Sequence, residues 1–379
     1  MIKTYKIRLY PTKEQELLMW KHIGACRFVW NYMLAKQEEL YKQSEKHLSA
    51  FSMMKLLTPL KNDGEHQWLY DVSNTSCQII CRDLDKAYKE FFAHRQGFPR
   101  FKSRKRSKPS FPVRSEGLRV VSATVVQIQK LGRVKCRIDK RLDKNATYKF
   151  INARVSHKSG KWIMTVSIES ENQAPKLTDK AMGIDLGVKD SAIVAYGNEQ
   201  LIFPNINKSR KVRLIKKRIA HLQRSVSRKY EANRVGKQYN KTRNIERCEV
   251  TLKRLYEKLS NIRTNYIHQS TSKLIKLLPA RVVMEDLNVQ GMIKNRHLSK
   301  AIQEQCLYEW VRQMQYKCAW NGIKFVQANR FYPSSKTCSR CGYIKHNLKL
   351  SDRIFVCNEC GFSIDRDYQA ALNLMRYED

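Results

Sequence analysis

Residues 181–188 read Ala-Met-Gly-Ile-Asp-Leu-Gly-Val and place one carboxylate, Asp185, inside an apolar strand. A second apolar run at 280–287, Ala-Arg-Val-Val-Met-Glu-Asp-Leu, ends near another carboxylate, Glu285. A carboxylate at a buried strand position costs free energy unless it binds a cation or a hydrogen-bonding partner. Two such strands therefore predict an α/β domain in which carboxylates from different strands meet around metal ions.

A third acidic position follows near the C-terminal end of the sequence. Asp365 opens the segment Asp-Arg-Asp-Tyr-Gln-Ala-Ala-Leu-Asn and is predicted to cap a short helix. Taken singly, each of the three residues is more typical of a helix cap or an ion-pair partner. Together they could hold two Mg²⁺ ions, with Mn²⁺ able to substitute, which activate water and stabilise the leaving oxygen of a phosphodiester. Asp190, Asp286 and Asp367 compete for these roles.

Four of the eleven cysteines form two Cys-x-x-Cys pairs, each followed by a glycine: Cys338, Cys341, Cys357 and Cys360. Two such pairs bring four thiolates onto one ion, so the spacing predicts a tetrahedral zinc site. This zinc is expected to be structural because four cysteines leave no open coordination position. Two disulfides are the alternative, which fits poorly with a sequence that shows no export signal. The expected location is the cytoplasm.

The charge of the chain indicates a polyanionic partner. Its 379 residues contain 73 Lys and Arg against 34 Asp and Glu, a formal net charge of +39. Such a chain repels itself unless a polyanion neutralises it, and nucleic acid is the obvious candidate. A ribosomal-type RNA binder and a membrane-surface protein are the alternatives. No apolar stretch of about 18 residues occurs, so we expect no transmembrane helix.

Hydrophobic periodicity divides the first half of the chain. Residues 2–10 alternate as a strand, a helix begins at Thr12, and a second helix spans Ser73 to about Arg95. Residues 98–172 return to period two, with short predicted strands that include residues 148–151. These patterns predict a small β-barrel made of 1–11 and 97–175, with a helical domain at 12–96 inserted into it.

The second half of the chain is expected to form one α/β domain, residues 176–379, with a zinc ribbon at 336–362 inserted in it. Residues 207–277 are helical and strongly basic, so we expect one face of them to follow a phosphate backbone. A helix at 301–320 and a strand at 323–326 follow the Glu285 strand. The Lys- and Arg-rich segment 102–108, in the first half, is expected to bind phosphates as well.

Several segments together resemble the TnpB family, whose members are encoded by insertion-sequence transposons. The resemblance runs from about residue 3 to about residue 376. Its motifs are Leu9-Tyr-Pro-Thr, Cys26-Arg-Phe-Val-Trp-Asn, Gly97-Phe-Pro-Arg-Phe, Gly183-Ile-Asp-Leu-Gly, Glu285-Asp-Leu-Asn, Tyr332-Pro-Ser-Ser-Lys-Thr-Cys-Ser-Arg-Cys-Gly and Asp365-Arg-Asp-Tyr-Gln-Ala-Ala-Leu-Asn. Gln369 is a mild departure, because the family often has asparagine there, and it affects none of the acidic residues.

The resemblance implies an RNA-guided, metal-dependent DNA endonuclease of the prokaryotic cytoplasm or nucleoid. One protein would bind one guide RNA from the transposon end, recognise a short motif beside the target and hydrolyse double-stranded DNA, without a membrane partner. Asp185, Glu285 and Asp365 would be the catalytic carboxylates of a RuvC-like (RNase H-like) domain. The barrel and its helical insertion would be the family's wedge and recognition domains.

The same resemblance extends to nucleic-acid contacts. It implies that Asn74, Thr75 and Gln78 contact the target-adjacent motif, since the amide of Gln78 suits hydrogen bonding to base edges. Arg100, Lys102 and Arg104 are expected to contact nucleic-acid phosphates. Two alternatives remain: a DNA transposase, which also uses acidic triads, and a nuclease-silent RNA-guided repressor. The presence of all three carboxylates argues against the repressor.

Overall fold

The computed structural model describes residues 2–44, 47–138, 150–170, 175–349 and 352–378. The chain divides into two compact units, Met1–Glu171 and Asn172–Asp379. Among the described residues, no helix is both long enough and apolar enough to cross a membrane. Residues 148–149 of one predicted strand, and residues 350–351 of the predicted ribbon, lie outside the described residues.

Seven antiparallel strands form the sheet of the first unit, in the order β2-β6-β7-β1-β5-β4-β3. They are β1 (Ile2–Tyr10), β2 (Ser110–Val113), β3 (Leu118–Ser122), β4 (Val125–Ile128), β5 (Gly132–Arg137), β6 (Phe150–Lys158) and β7 (Lys161–Glu169). The strand predicted at residues 2–10 is confirmed, and it pairs with β7 from Ile2–Glu169 to Leu9–Trp162. The N-terminal segment therefore lies in the middle of a sheet built mostly from residues 110–169.

The two outer strands of this sheet are neighbours in sequence. Only residues 114–117 separate β2 from β3. Because an extended chain spans at most about 3.6 Å per residue, Val113 and Leu118 lie within about 18 Å of each other. Seven strands of a flat sheet would place the outer two about 29 Å apart. The sheet is therefore strongly curled.

Three helices complete the first unit: α1 (Lys13–Ser44), α2 (Ala50–Lys61) and α3 (Asn74–Phe92). The predicted start of α1 is confirmed, because the Gln15 amide donates to Thr12 Oγ1 at 3.2 Å. The predicted helix from Ser73 to about Arg95 is α3, which ends slightly earlier. Buried residues of α1 such as Met19, Ile23 and Met33 share one hydrophobic core with the inner face of the sheet.

The sheet of the second unit has the order β10-β9-β8-β13-β14. The strands of this unit are β8 (Ala181–Asp185), β9 (Asp190–Tyr196), β10 (Glu199–Pro204), the short pair β11 (Arg234–Val235) and β12 (Gln238–Tyr239), β13 (Arg281–Glu285), β14 (Lys324–Ala328), and the pair β15 (Ile354–Val356) and β16 (Ser363–Asp365). Strands β8, β13 and β14 are parallel, whereas β9 and β10 are antiparallel to their neighbours. The carboxyl ends of β8 and β13 thus share one edge.

The helices of this unit are α4 (Arg210–Ala232), α5 (Arg243–Ile275), α6 (Val289–Lys294), α7 (Ser299–Gln305), α8 (Leu307–Asn321) and α9 (Arg366–Arg376). The basic region at 207–277 forms two long helices, α4 and α5, joined by the β11–β12 hairpin. The single helix predicted at 301–320 is wrong. It is interrupted at Cys306, whose φ of 53° is left-handed and cannot continue a right-handed helix.

Helix α9 packs directly on strands β8 and β9. The contact is closest at Gly183, where a Cβ atom would overlap the Ala371 carbonyl oxygen and the Met375 amide nitrogen of α9. Any larger residue at position 183 would push the helix away from the sheet. Gly183, two residues before Asp185, therefore lets the N-terminus of α9 approach the carboxyl end of β8.

Candidate active site

Asp185 and Glu285 are the last residues of neighbouring parallel strands. The register pairs Met284 of β13 with Ile184 of β8, so the two carboxylates follow directly after paired residues. Both side chains are partly buried. The structure therefore brings together two of the residues that the sequence predicts to meet.

Asp365 reaches the same edge through α9. Its Oδ1 accepts hydrogen bonds from the amides of Asp367 and Tyr368, both at 3.0 Å, so the predicted helix cap is confirmed. The cap occupies one carboxylate oxygen, whereas Oδ2 takes no part in it. Asp367, in the first turn, is held at its Oδ1 by Arg366, from Nε at 3.2 Å and Nη2 at 3.0 Å.

The pKa values show how closely these charges interact. The pKa of Asp185 is raised well above its ordinary value by burial, and then by the charges of Glu285 and Asp367 and, more weakly, Asp365. Arg366 opposes this rise. Burial also raises the pKa of Glu285, and Asp367 adds to the rise. Carboxylates that repel one another in a sheltered place favour binding of a cation.

Of the competing acidic residues, Asp367 belongs to this cluster, because its charge raises the pKa values of Asp185 and Glu285. Asp286 and Asp190 have other neighbours. Asp286 pairs instead with Arg330, with Nη2 and Oδ2 2.6 Å apart, on a more exposed part of the surface. Asp190 begins β9, where the register pairs it with Pro204 of β10. In the part of the chain that the structure describes, the site thus brings together Asp185, Glu285, Asp365 and Asp367, and Arg366 pairs with Asp367.

A serine holds the Glu285 carboxylate. Ser334 is almost fully buried, and its hydroxyl donates a hydrogen bond to Glu285 Oε1. This hydrogen bond lowers the pKa of Glu285 and so opposes the effect of burial. The Ser334 carbonyl in turn accepts a hydrogen bond of 2.6 Å from Asn373 of α9. Ser334 therefore connects β13 with the helix that carries Asp365.

Sequence reasoning did not identify Ser334 as a site residue. The signal lay in the Tyr332-Pro-Ser-Ser motif, which includes it, but two adjacent serines before a zinc ribbon do not show which one faces a carboxylate. Arg366 was likewise not identified, and Gln369 was noted only as a departure from the family motif. Gln369 Oε1 accepts a hydrogen bond of 2.9 Å from Ser339 of the ribbon, so it ties α9 to the cysteine pairs.

The four predicted cysteines meet as one cluster. All four Sγ atoms lie within 4.8 Å of one another, with Cys338–Cys360 at 3.7 Å and Cys341–Cys357 at 3.5 Å. Tetrahedral zinc with Zn–S bonds of about 2.3 Å places sulfur atoms about 3.8 Å apart, so the cluster fits this ion. The carboxylate oxygens of the acidic residues are not gathered as closely. Among the described residues, only the cysteines form a group of ligand atoms that all lie within 4.8 Å of one another.

The two cysteine pairs have the same local geometry. The Cys338 amide donates to the Tyr343 carbonyl and the Cys357 amide to the Phe362 carbonyl, each at 2.8 Å. The glycines that follow the pairs, Gly342 and Gly361, have φ values of 80° and 67°. This left-handed conformation suits glycine and lets each short loop turn its two thiols toward a common centre.

The residues predicted to contact DNA lie at the start of α3. Asn74 is exposed, and its Oδ1 accepts a 2.5 Å hydrogen bond from the nearly buried Lys61. Thr75 is half-buried beside Gln129, and Gln78 is half-buried one turn further along the helix. The three residues share one helix end, and their predicted role remains a prediction.

Three family models match separate parts of the chain. A model described as "Cas12f1-like, TNB domain" covers residues 308–374, and one described as "Probable transposase" covers 164–296. A third, described as "Helix-turn-helix domain", covers residues 1–46, of which the described part, 2–44, contains β1 and α1. The first match spans the four cysteines and Asp365, and the second spans Asp185 and Glu285.

Similar proteins extend over nearly the whole chain. A protein of Escherichia coli (strain K12) named "Putative RNA-guided DNA endonuclease InsQ" is 31% identical over 99% of this chain and 92% of its own length. A "Putative RNA-guided DNA endonuclease" of Streptomyces pristinaespiralis is 28% identical over 98% and 88%. The "CRISPR-associated endodeoxyribonuclease Cas12f1" of Sulfoacidibacillus thermotolerans is 27% identical over 57% and 50%.

Proposed function

The chain belongs to the TnpB family, and we propose that it is an RNA-guided DNA endonuclease that hydrolyses phosphodiester bonds of target double-stranded DNA. A guide RNA would select the target by base pairing, while the protein would recognise a short motif beside it. The excess of 73 basic over 34 acidic residues supports partners with phosphate backbones. The relatives that span nearly the whole chain carry this activity in their names.

One observation carries the proposal. Asp185, Glu285 and Asp365 reach the same edge of the second sheet from β8, β13 and the start of α9. The charges of Glu285 and Asp365 contribute to the raised pKa of Asp185. Acidic residues collected at strand ends serve metal-assisted attack on phosphate esters. We propose that this unit is a RuvC-like domain, since its sheet has three parallel and two antiparallel strands around the acidic cluster.

The acidic cluster suits Mg²⁺, a hard cation that prefers carboxylate oxygens. Asp185, Glu285 and Asp365 would hold it, and it would supply an activated water and charge stabilisation of the leaving oxygen. The protein's own part is to orient these ligands. Ser334 fixes one oxygen of Glu285, and the helix cap fixes one oxygen of Asp365. Each residue keeps its second oxygen for another partner.

We propose that the four cysteines hold a structural zinc ion. The ion would influence the position of α9 through the residue next to Cys338. Asn373 and Gln369 of α9 both donate hydrogen bonds to the Thr337 carbonyl. These hydrogen bonds hold α9 against the ribbon, while the missing side chain at Gly183 lets the helix pack closely against the sheet. In this arrangement the zinc contributes to the position of Asp365 without touching substrate.

The first unit would supply recognition. We propose that its curled sheet is the wedge barrel, at 1–11 and 97–175, and that residues 12–96 are the recognition domain inserted into it. Asn74, Thr75 and Gln78 would contact the target-adjacent motif from the start of α3. Residues 176–379 would be the nuclease domain, including the ribbon at 336–362.

The test begins with the nucleic acid that the protein retains when purified from cells carrying its native locus. We expect one RNA with a constant part and a variable end. DNA matching that end should be cut only when Mg²⁺ is present, and Asp185→Asn should abolish the cut. Retention of mixed RNA, or cleavage that persists in folded Asp185→Asn protein, would contradict the proposal.

A DNA transposase is the second candidate, favoured by the "Probable transposase" model that matches residues 164–296. A transposase would join transposon ends to new DNA, using similar carboxylates. The same purified protein distinguishes the two functions. Strand transfer of transposon-end DNA without any guide RNA would favour the transposase, and RNA-dependent cleavage would favour the nuclease.

A further inference from the structure

Two segments that the sequence analysis singled out meet in the first unit. Trp30 of α1 donates from its indole Nε1 to the Arg100 carbonyl at 3.0 Å. The next residue, Asn31, donates to the Lys102 carbonyl at 2.9 Å and accepts from the Lys102 amide at 2.7 Å. These three hydrogen bonds attach residues 100–102 to the helix. The basic segment that follows is therefore held at a fixed starting point.

The attached segment closes one side of a cavity of about 710 Å³, which we call the cationic recess. Its lining includes the apolar side chains of Trp20, Ile23 and Ile80. Five cationic side chains line it: Arg27, Lys102, Arg104, Lys108 and Arg154. The residues that the structure describes place no carboxylate in its lining. The size is within the range of about 300–1,000 Å³ that is usual for small-ligand sites.

Among the described residues, one of these five cations has a carboxylate partner. Arg154 pairs with Asp83, with Nη2 and Oδ2 2.5 Å apart. Within residues 2–44, 47–138 and 150–170, the other four cations form no ion pair with a carboxylate. Lys102 places its ammonium 3.3 Å from the centre of the Trp30 ring. Burial disfavours the charged ammonium of Lys102 and lowers its pKa to about 8. A bound anion would stabilise that charge.

We propose that the cationic recess binds one unstacked nucleotide of single-stranded RNA, with its base against Trp20 and its phosphate among the cations. Trp20 is 39% exposed, so one part of its ring remains available for stacking. A base inside a duplex could not lie against Trp20, because its faces are covered by the neighbouring base pairs. Ser103 and Ser107 also line the recess, and their hydroxyls suit a ribose 2′-hydroxyl.

This inference deepens the proposed function, since the RNA would be the guide, but it concerns binding alone. The recess also contains an unusual gap. Gly24 lies inside α1 and lines the recess, and a Cβ atom there would meet no atom within 4 Å. A Cβ atom at this position thus meets open space, and a larger side chain would extend from the part of α1 that lines the recess. Replacing a helical glycine also favours the helix.

The test measures equilibrium binding of the full-length protein, without Mg²⁺, to a short fluorescein-labelled single-stranded RNA and to DNA of the same sequence. Gly24→Leu should weaken RNA binding by about tenfold, the effect of losing one stacked base, while the melting temperature does not fall. Gly97→Leu is the matched control, because Gly97 also has open space around it and does not line the recess. Its RNA affinity should equal that of the unaltered protein.

A second pair of variants tests the charge. Lys102→Gln and Lys105→Gln each remove one cation from the same basic segment, but only Lys102 lines the recess. We expect Lys102→Gln to weaken RNA binding several-fold more than Lys105→Gln. Equal losses in this pair, or equal RNA and DNA losses in Gly24→Leu, would overturn the inference. A protein that binds RNA as expected here but cuts no DNA would contradict the proposed function and leave this site standing.

Discussion

The hydroxyl of Ser334 donates a hydrogen bond to the carboxylate of Glu285, and this joins the segment before the zinc ribbon to the end of β13. We expect Ser334→Ala to slow DNA cleavage roughly 10–100-fold, as is usual when a partner of a metal ligand is removed. The hydrogen bond lowers the pKa of Glu285. Its loss raises that pKa, so the rate should fall most at low pH.

The measurement is the cleavage rate across pH for Ser334→Ala and Ser335→Ala. Ser335 is the adjacent serine and forms no hydrogen bond to Glu285, so its variant should follow the unaltered protein. The acidic limb for Ser334→Ala should move to higher pH. Identical profiles for both variants would show that Ser334 does not orient Glu285.

Asp365 and Asp367 can be separated by asparagine substitutions. Asparagine caps helices as well as aspartate does, so Asp365→Asn should keep α9 folded while it removes the charge. We expect cleavage to fall by more than about 100-fold, beyond the usual effect of a residue that only supports a ligand. Asp367→Asn, whose charge Arg366 already balances, should lose about tenfold. A larger loss in Asp367→Asn would assign the third ligand to Asp367.

Asp185→Asn should stabilise the protein when no Mg²⁺ is added. The pKa of Asp185 is raised in the folded state, so its ionisation costs stability as pH rises from the ordinary carboxylate range, about 4, through the raised value. At neutral pH the variant should melt higher, by about 2–4 °C for each kcal/mol of repulsion removed. Calorimetry should show this difference shrinking toward pH 4.

Added Mg²⁺ should reverse the order of stability. The ion would bind the unaltered acidic cluster and raise its melting temperature, because a ligand of the folded state stabilises it. Asp185→Asn should gain less. An equal gain in both proteins, or a lower melting temperature for the variant without Mg²⁺, would show that Asp185 is not a repelled ligand.

Replacing a cysteine should damage the acidic cluster at a distance. We expect Cys357→Ser to lose bound zinc, measured by elemental analysis, and to lower the cleavage rate, because Thr337 would no longer hold Gln369 and Asn373 of α9 in place. Cys318→Ser is the control, as Cys318 of α8 is buried in a hydrophobic core with Trp310 and Met314 and lies outside the cysteine cluster. Full cleavage by zinc-free Cys357→Ser would refute the coupling.

Gly183→Ala tests the contact between α9 and the sheet. The added methyl group would overlap the backbone at Ala371 and Met375, so the helix must move. We expect a loss of about 1–3 kcal/mol in the free energy of unfolding, with reduced cleavage. Gly97→Ala, which meets no atom within 4 Å, should change neither quantity. Normal stability and cleavage in Gly183→Ala would exclude the close contact.

The sequence predicts the elements that carry a strong local signal. Alternation in residues 2–10 identified β1, and the apolar runs that end at Asp185 and Glu285 identified two neighbouring strands. The cysteine spacing identified the cluster. In each case the signal lies within a few adjacent residues, either as hydrophobic periodicity or as a ligand pattern whose geometry is fixed by chemistry.

Features that depend on distant contacts were not predictable in this way. The break at Cys306 is one such feature, because a cysteine in the left-handed conformation has no sequence signature of its own. The bond between Ser334 and Glu285 joins residues far apart in sequence. The same is true of the attachment of Lys102 to Asn31, although both segments had been noticed separately.

The position of α9 in the chain has a consequence for a newly made protein. A ribosome releases β8 and β13 well before α9, and Asp365 arrives only with that last described helix. Until α9 docks against Gly183, the nascent chain holds just two of its proposed metal ligands, whereas its basic helices have already emerged. We expect the chain to collect RNA during translation and to become able to cut DNA only after α9 has emerged and docked.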